Sequence, residues 1–250
     1  MLTPAGHVLA ARARVILAEA ARAEIEVRTA RKRQRDQLAL RVCTMGELVL
    51  GGLLRATARG VAGVDVTVAS SPGDDAIEAV RQGRADAAVV WERSADQRDV
   101  QGVPLGSVRF GIALPLEHPQ LAVDRVPVSR LIHEPVVMFP RSPFAGVWDR
   151  VVGHLLPLDH EAAQVVVEPD LIHCPAAMFR DVAAGAGIAP AIVGVAEYVG
   201  VAGIEIRPLD PELLLELEVV WRVAASPALG RLVDFLVDGA SEPSRVLQPG

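Results

Sequence analysis

Aromatic residues are scarce in this chain: five Phe, three Trp and one Tyr in 250 positions. Its core must therefore be built largely from small or branched side chains, and Ala and Val dominate. Only two cysteines occur, Cys43 and Cys174, with no CxxC pair. That excludes a disulfide framework and fits a reducing compartment. No run of about 18 apolar residues is present, which excludes a spanning helix. No apolar N-terminal stretch leads to a cleavage site, so no export signal is expected. These absences predict a soluble, cytoplasmic protein with no membrane partner. With 51% apolar and 22% charged residues, the chain is too hydrophobic to be disordered.

The catalytic vocabulary is equally thin. Gly46 to Gly52 lacks the GK[ST] of a phosphate loop, no serine sits in GxSxG, and HExxH is missing. His154 and His160 are six apart across Pro157, not at the i, i+4 spacing of a helical metal pair, and His173-Cys174 has no second cluster. Gly185-Ala186-Gly187-Ile188-Ala189-Pro190 matches half of GxGxxG but leads into a strand-like run, so a tight helix-to-strand turn is expected. Asp74-Asp75 suits a helix start, and Cys43 reads as a small buried residue. The chain is read as having no catalytic residues, metal site or cofactor, and as not being an enzyme.

What is present is a strand–turn–helix. Leu38, Leu40 and Val42 alternate with Ala39 and Arg41, the period of a strand, and a break follows at Thr44-Met45-Gly46. Leu48, Val49, Gly51, Gly52, Leu53 and Ala56 then recur at helical spacing, with Glu47 in the first turn. In open α/β sheets ligands gather at the strand's carboxyl end, against the next helix, so Thr44 to Glu47 is the first candidate for a binding site.

Ahead of it, Thr3 can cap a helix and Pro4 can occupy its first position. Leu9, Ala13, Ile16, Ala20, Ala23, Val27 and Ala30 follow at spacings of four and three, a heptad seam. The reading is a dimerisation helix of about thirty residues, roughly 45 Å long. It ends in the basic run Arg28 to Arg35. Residues 1–37 carry eight Lys/Arg against four Asp/Glu, net +4, and the rest carries 17 against 27, net −10. An acidic body is a poor nucleic-acid binder, and the basic run reads as a solvated helix end.

Beyond the first helix the order continues as a strand at Val64–Val68, a loop at Ser70–Gly73 and a helix over Asp74–Gln82. Ala85–Trp91 is a near-continuous apolar strand, and residues 92–102 read as polar loop. Later strands are expected at Val108–Leu114, Val136–Phe139, Val165–Val167, Ile188–Ala189 and Leu213–Val223. Helices are expected at Val147–Leu155, Ala176–Ala184 and Pro227–Val237.

Several segments in this order resemble the LysR-type transcription regulators. Leu2-Thr3-Pro4-Ala5-Gly6 is similar to the start of the family's linker helix, and Leu40-Arg41-Val42 through Leu53-Leu54 to its first strand and helix. Gly83-Arg84-Ala85-Asp86-Ala87-Ala88-Val89 is similar to its G-x-x-D-x-x-hydrophobic lead into a strand. Pro104-Leu105, Ala113-Leu114-Pro115 and His118-Pro119-Gln120-Leu121 are similar to its crossover. Phe139-Pro140-Arg141-Ser142, Ala183 to Pro190 and Ser226-Pro227-Ala228-Leu229 complete the series.

The resemblance implies an α/β fold of two Rossmann-like lobes, of type 2 periplasmic-binding-protein architecture, preceded by a long N-terminal dimerisation helix. It implies a linker helix over 1–37, one lobe from 38–114 and 209–240, a second from 115–208, and a tail at 241–250. It further implies a homodimer or homotetramer seamed by Leu9, Ala13, Ile16, Ala20, Ala23 and Val27. A small organic effector, carboxylates included, would bind in the cleft. By the same resemblance the effector-binding residues are Thr44, Met45, Gly46, Glu47, Ser71, Gly73, Trp91, Arg141, Ser142, Phe144, Gly187 and Pro190. Within that set Thr44 and Ser142 would hydrogen-bond the ligand from opposite sides and Arg141 would clamp a carboxylate, while Glu47 would repel one. The family's winged helix-turn-helix lies ahead of the Leu2–Gly6 segment, and only Met1 precedes that segment here. DNA is thus expected as a partner only where an upstream helix-turn-helix is restored. A free-standing solute-binding protein of the same fold is the alternative.

Overall fold

Alternation at Leu38, Leu40 and Val42 does build a strand. In a computed structural model of the chain, β1 (Gln37–Cys43) buries those three side chains and leaves Ala39 and Arg41 partly exposed. The structure describes residues 3, 5–7, 9, 12, 13, 16, 19, 20, 37–61, 63–94, 97, 99–155, 165–167, 176–196, 200–222 and 226–240. Ala23, Val27, the basic run, His160, His173, Cys174 and the tail lie outside them. The described residues between 5 and 20 are helical, and Thr3 Oγ1 accepts from Gly6 N at 3.1 Å, the cap read from the sequence.

After β1 come α1 (Gly46–Ala58), β2 (Asp65–Ser71), α2 (Gly73–Arg81) and β3 (Ala87–Trp91). The amphipathic α2 buries Ala76, Ile77, Ala79 and Val80, and Gly83, at φ +64°, makes the turn that follows. Strands β2, β1 and β3 pair in parallel, as two βα units in succession require. The GxxD segment fastens the sheet. Asp86 Oδ2 accepts from Ala39 N at 2.7 Å while Asp86 N donates to Ala39 O at 2.8 Å. That reciprocal pair locks β1 to the start of β3. All five β3 residues are buried, as expected of an apolar run in mid-sheet.

Two long antiparallel strands carry the chain onward: β4 (Gln101–Pro115) and β9 (Ile204–Trp221). Between them lie β5 (Val126–Pro127), β6 (Val136–Met138), α3 (Ala145–Leu155), β7 (Val165–Val167), α4 (Ala176–Ala183) and β8 (Ala189–Ile192); α5 (Pro227–Ala240) closes the series. The main sheet runs β2-β1-β3-β9-β4-β8, with β5 beside β9. Strands β6 and β7 form a second, parallel sheet, tied towards β8 by a bridge between Val136 and Ile188.

The long pair is where the sequence reading was short. Strand β4 begins at Gln101, not Val108, and β9 begins at Ile204, not Leu213. Gly102, Pro104 and Gly106 mimic a loop in the first case, and Pro208 and Pro211 do so in the second. The ladder absorbs them through register shifts between Pro104 and Gly106 and between Phe110 and Gly111. At the second shift Phe110 faces Leu213 while Gly111 faces Pro208, so the two strands change register midway. No described helix is long and apolar enough to cross a membrane.

Candidate functional site

The turn after β1 is built by close packing. A Cβ on Gly46 would lie 2.8 Å from Cys43 Sγ, so glycine is what lets α1 start against the strand end. Burial pushes the Cys43 thiol up to about 12, with backbone N–H groups pulling weakly the other way. It is an inert packing residue, not a nucleophile. Met45, the N-cap of α1, has φ 68° and is the one non-glycine among the described residues with positive φ. Such a conformation costs of order 1–3 kcal/mol and persists where the surroundings impose it.

Thr44 is held from both sides: its N–H donates to Ser71 O at 3.1 Å, and its carbonyl accepts from Trp91 Nε1 at 3.0 Å. The Trp91 indole N–H is thus spent on the turn, leaving the ring as an apolar wall. The Thr44 hydroxyl has no hydrogen-bond partner among the described residues, and no side chain caps the first turn of α1.

Thr44, Met45 and Trp91 open onto an apolar cleft with a cavity volume of about 90 Å³. It lies at the carboxyl ends of β1 and β3, where α/β sheets bind ligands. Phe110 of β4 and Pro190, Ala191 and Ile192 of β8 form its sheet side, with Val195 just beyond. Phe139 and Phe144, packed edge to face at 5.7 Å and 85°, contribute with Val147 of α3. Met178 and Phe179 of α4 complete the lining. Four of the chain's five phenylalanines therefore meet at one cleft.

Of the twelve effector-binding expectations, Thr44, Met45, Trp91, Phe144 and Pro190 line this cleft. Gly46 is buried behind it against Cys43, and Glu47 is exposed. Arg141 and Ser142 are exposed and absent from the lining. Arg141 is engaged elsewhere: Nε and Nη2 donate to the two oxygens of Asp149 at 2.8 and 2.7 Å, a bidentate pair that holds the Asp149 carboxyl below its ordinary range. Gly187, at φ +148°, lies where a Cβ would come within 2.2 Å of Pro135 O, so it serves a close backbone approach. The glycine-rich turn is the helix-to-strand turn expected, with Ala186 N donating to Asp181 O at 3.0 Å.

Of the remaining two, Ser71 is absent from the lining and meets the turn through its carbonyl, which accepts from Thr44 N, while Gly73 lines a second, smaller pocket that shares Trp91 with the first. There the chain segments meet through polar contacts. Asp74 N donates to Pro143 O at 3.0 Å, and Asp74 accepts from Gln97 Nε2 at 2.5 Å and Ala145 N at 3.4 Å. Gln97 is buried, and its Oε1 accepts from Ser94 N at 3.1 Å. A Cβ on Gly146 would lie 1.9 Å from Glu92 O, so the backbone after β3 and the start of α3 touch. Asp74 is thus more than a helix-start carboxylate; it latches α2 to α3.

Residues that sequence reasoning missed are Phe110, Phe139, Val147, Met178, Phe179, Ala191, Ile192 and Val195. The usable signal was scarcity: in so aromatic-poor a chain, each phenylalanine marks a position worth testing. Chemically the cleft is apolar, and its lining carries no charged side chain among the described residues. Burying a carboxylate there without a cation costs several kcal/mol. A helix N-terminus returns about 0.3–1 kcal/mol, up to ~2 in the best partly buried cases.

Comparison with known proteins agrees with the geometry. Residues 33–241 match the LysR substrate binding domain. The probable cat1 operon transcriptional activator of Acinetobacter lwoffii is 26% identical over 167 residues, 66% of this chain and 55% of that protein. The chain thus spans about half the length of this curated relative. Among solved structures, the BenM effector binding domain with its effector benzoate is 19% identical, with TM-score 0.65 over 86% of this chain and 98% of that one. The Synechocystis PCC6803 CcmR regulatory domain in complex with 2-PG is 16% identical, with TM-score 0.65 over 83% and 98%. At these identities the two structures attest the shared fold alone.

Proposed function

This chain belongs to the LysR family by its substrate-binding domain, and from that membership we propose that it is the effector-sensing and oligomerisation portion of a LysR-type transcription regulator. The observation that carries the sensing role is the open cleft at the carboxyl ends of β1 and β3, beside the latch between α2 and α3. A small molecule there touches segments from both halves of the β4–β9 pair, so its binding energy biases how the halves close. The ligand-bound neighbours, one with benzoate and one with 2-PG, support a small molecule as occupant.

The proposed lobes are 38–114 with 209–240, and 115–208, a division supported by the register change at Phe110–Gly111. Leu9 and Ile16 are 71% and 67% exposed, which supports a seam covered by a second copy; light scattering that finds a monomer contradicts that part.

The test is a thermal-shift screen of small organic compounds. At 100 times its dissociation constant a ligand adds about 2.7 kcal/mol of stability. Met45→Trp, which fills the partly exposed mouth of the cleft, is expected to abolish that gain. A ligand whose stabilisation is untouched by Met45→Trp overturns the assignment.

A further inference from the structure

We infer that the effector of this chain is an uncharged, largely apolar ring compound carrying one small polar acceptor, and not a carboxylate. The inference rests on the cleft being the effector site, and it names the ligand class from the lining alone.

Three observations carry it. Every described lining side chain except Thr44 is apolar, and four of the five phenylalanines plus Trp91 and two methionines supply most of them. Aromatic faces, aromatic edges and polarizable thioethers favour a flat apolar ligand. No described lining residue is a cation, and Arg141 is exposed and bound bidentately to Asp149. The charge nearest the turn is of the wrong sign, since Glu47 occupies the first turn of α1.

The polar provision is small and neutral. The Thr44 hydroxyl can donate one hydrogen bond, and the first turn of α1 begins at the cleft wall without a side-chain cap. A ketone, ester or amide oxygen satisfies such donors without bringing a net charge into the cleft. A carboxylate at the same place would lose hydration and meet the Glu47 field with no cation among the described lining residues to offset it.

The test uses two pairs of near-isosteric probes, acetophenone against benzoate and 2-acetylnaphthalene against 2-naphthoate. Within each pair a methyl group replaces a charged oxygen. Isothermal titration calorimetry at pH 7.5 is run on the full chain and on Met45→Trp and Thr44→Val, each first shown to keep the parent's circular dichroism and cooperative melt. The expected result is at least tenfold tighter binding of a ketone than of its acid. That binding should disappear in Met45→Trp and weaken about threefold to tenfold in Thr44→Val. An acid that binds as tightly as its ketone, and is lost in Met45→Trp, overturns the ligand class and leaves the cleft assignment standing. Binding indifferent to Met45→Trp overturns the cleft assignment itself. Absence of binding by all four probes overturns the inference for one- and two-ring ligands.

Discussion

The two sides of Trp91 are held together by opposite means. On one side Phe110, Phe139, Phe144 and Phe179 leave an apolar space that no described residue fills. On the other, Asp74 ties Gln97, Pro143 and Ala145 together, and Gly146 lies against the Glu92 backbone. Trp91, Phe144 and Val147 border both. The difference shows how the protein can be closed and still receptive: directional hydrogen bonds set the approach of α3 to α2, and the apolar side is left for a ligand to complete.

The largest effect that separates the sides should come from Phe179→Ala. The ring is 3% exposed, and truncating a buried Phe costs about 3–5 kcal/mol. Because the ring borders space that is already empty, the low end is expected, with ligand binding lost as well. Chemical denaturation gives the first number and calorimetry the second. A loss below about 1 kcal/mol would mean that the apolar wall is not packed as described.

Next come the polar contacts. Asp74→Ala leaves the buried Gln97 amide and the Ala145 N–H without their acceptor, at about 1–3 kcal/mol. Hydrogen exchange at Ala145 should quicken, while Asp74→Asn, which keeps one acceptor, should cost less. A similar penalty of about 1–3 kcal/mol is expected of Gly146→Ala, which must push its methyl group off the Glu92 carbonyl. Gly52 of α1 is the control, because a Cβ there meets nothing within 4 Å. Gly52→Ala should stabilise by about 0.5–1 kcal/mol. Equal behaviour of the two glycine variants would argue against the close contact between Gly146 and Glu92.

The smallest effect belongs to the rim. Arg141 and Asp149 are 56% and 48% exposed, so Arg141→Ala should cost only about 0.2–1 kcal/mol. Arg141 lowers the Asp149 carboxyl. The stability this adds is therefore present above the ordinary aspartate range and lost as pH falls through the lowered value. Denaturation from about pH 6 down to about pH 3 should show parent and variant converging at the acid end. Ketone affinity should change less than about twofold, and a larger change would return Arg141 to the site.

The turn from Thr44 to Glu47 was legible because a strand period breaks into a helix period at that point. Asp86 was legible as part of a motif, though its bond to Ala39 is a tertiary fact. What stayed hidden has physical causes. Prolines and glycines in β4 and β9 read as loop until the register shifts that accommodate them are seen. Asp149, eight residues past Arg141, gives no sign in the sequence that it will claim the guanidinium. Met178 and Phe179 reach the cleft beside Thr44 only through the folding of α4 over the sheet, a contact between distant stretches of chain that no local period encodes.

The methionines offer the most direct test of the central claim. Met45 and Met178 both line the cleft, from the N-cap of α1 and from α4, while Met138 is buried in β6 and absent from the lining. Protein labelled with 13C at the methionine methyls is titrated with acetophenone and followed by methyl NMR. If the cleft holds the ligand, shifts and ligand-ring NOEs are expected at Met45 and Met178 together, with Met138 essentially still. Saturable binding that perturbs Met138, or that leaves both cleft methyls unmoved, would contradict it.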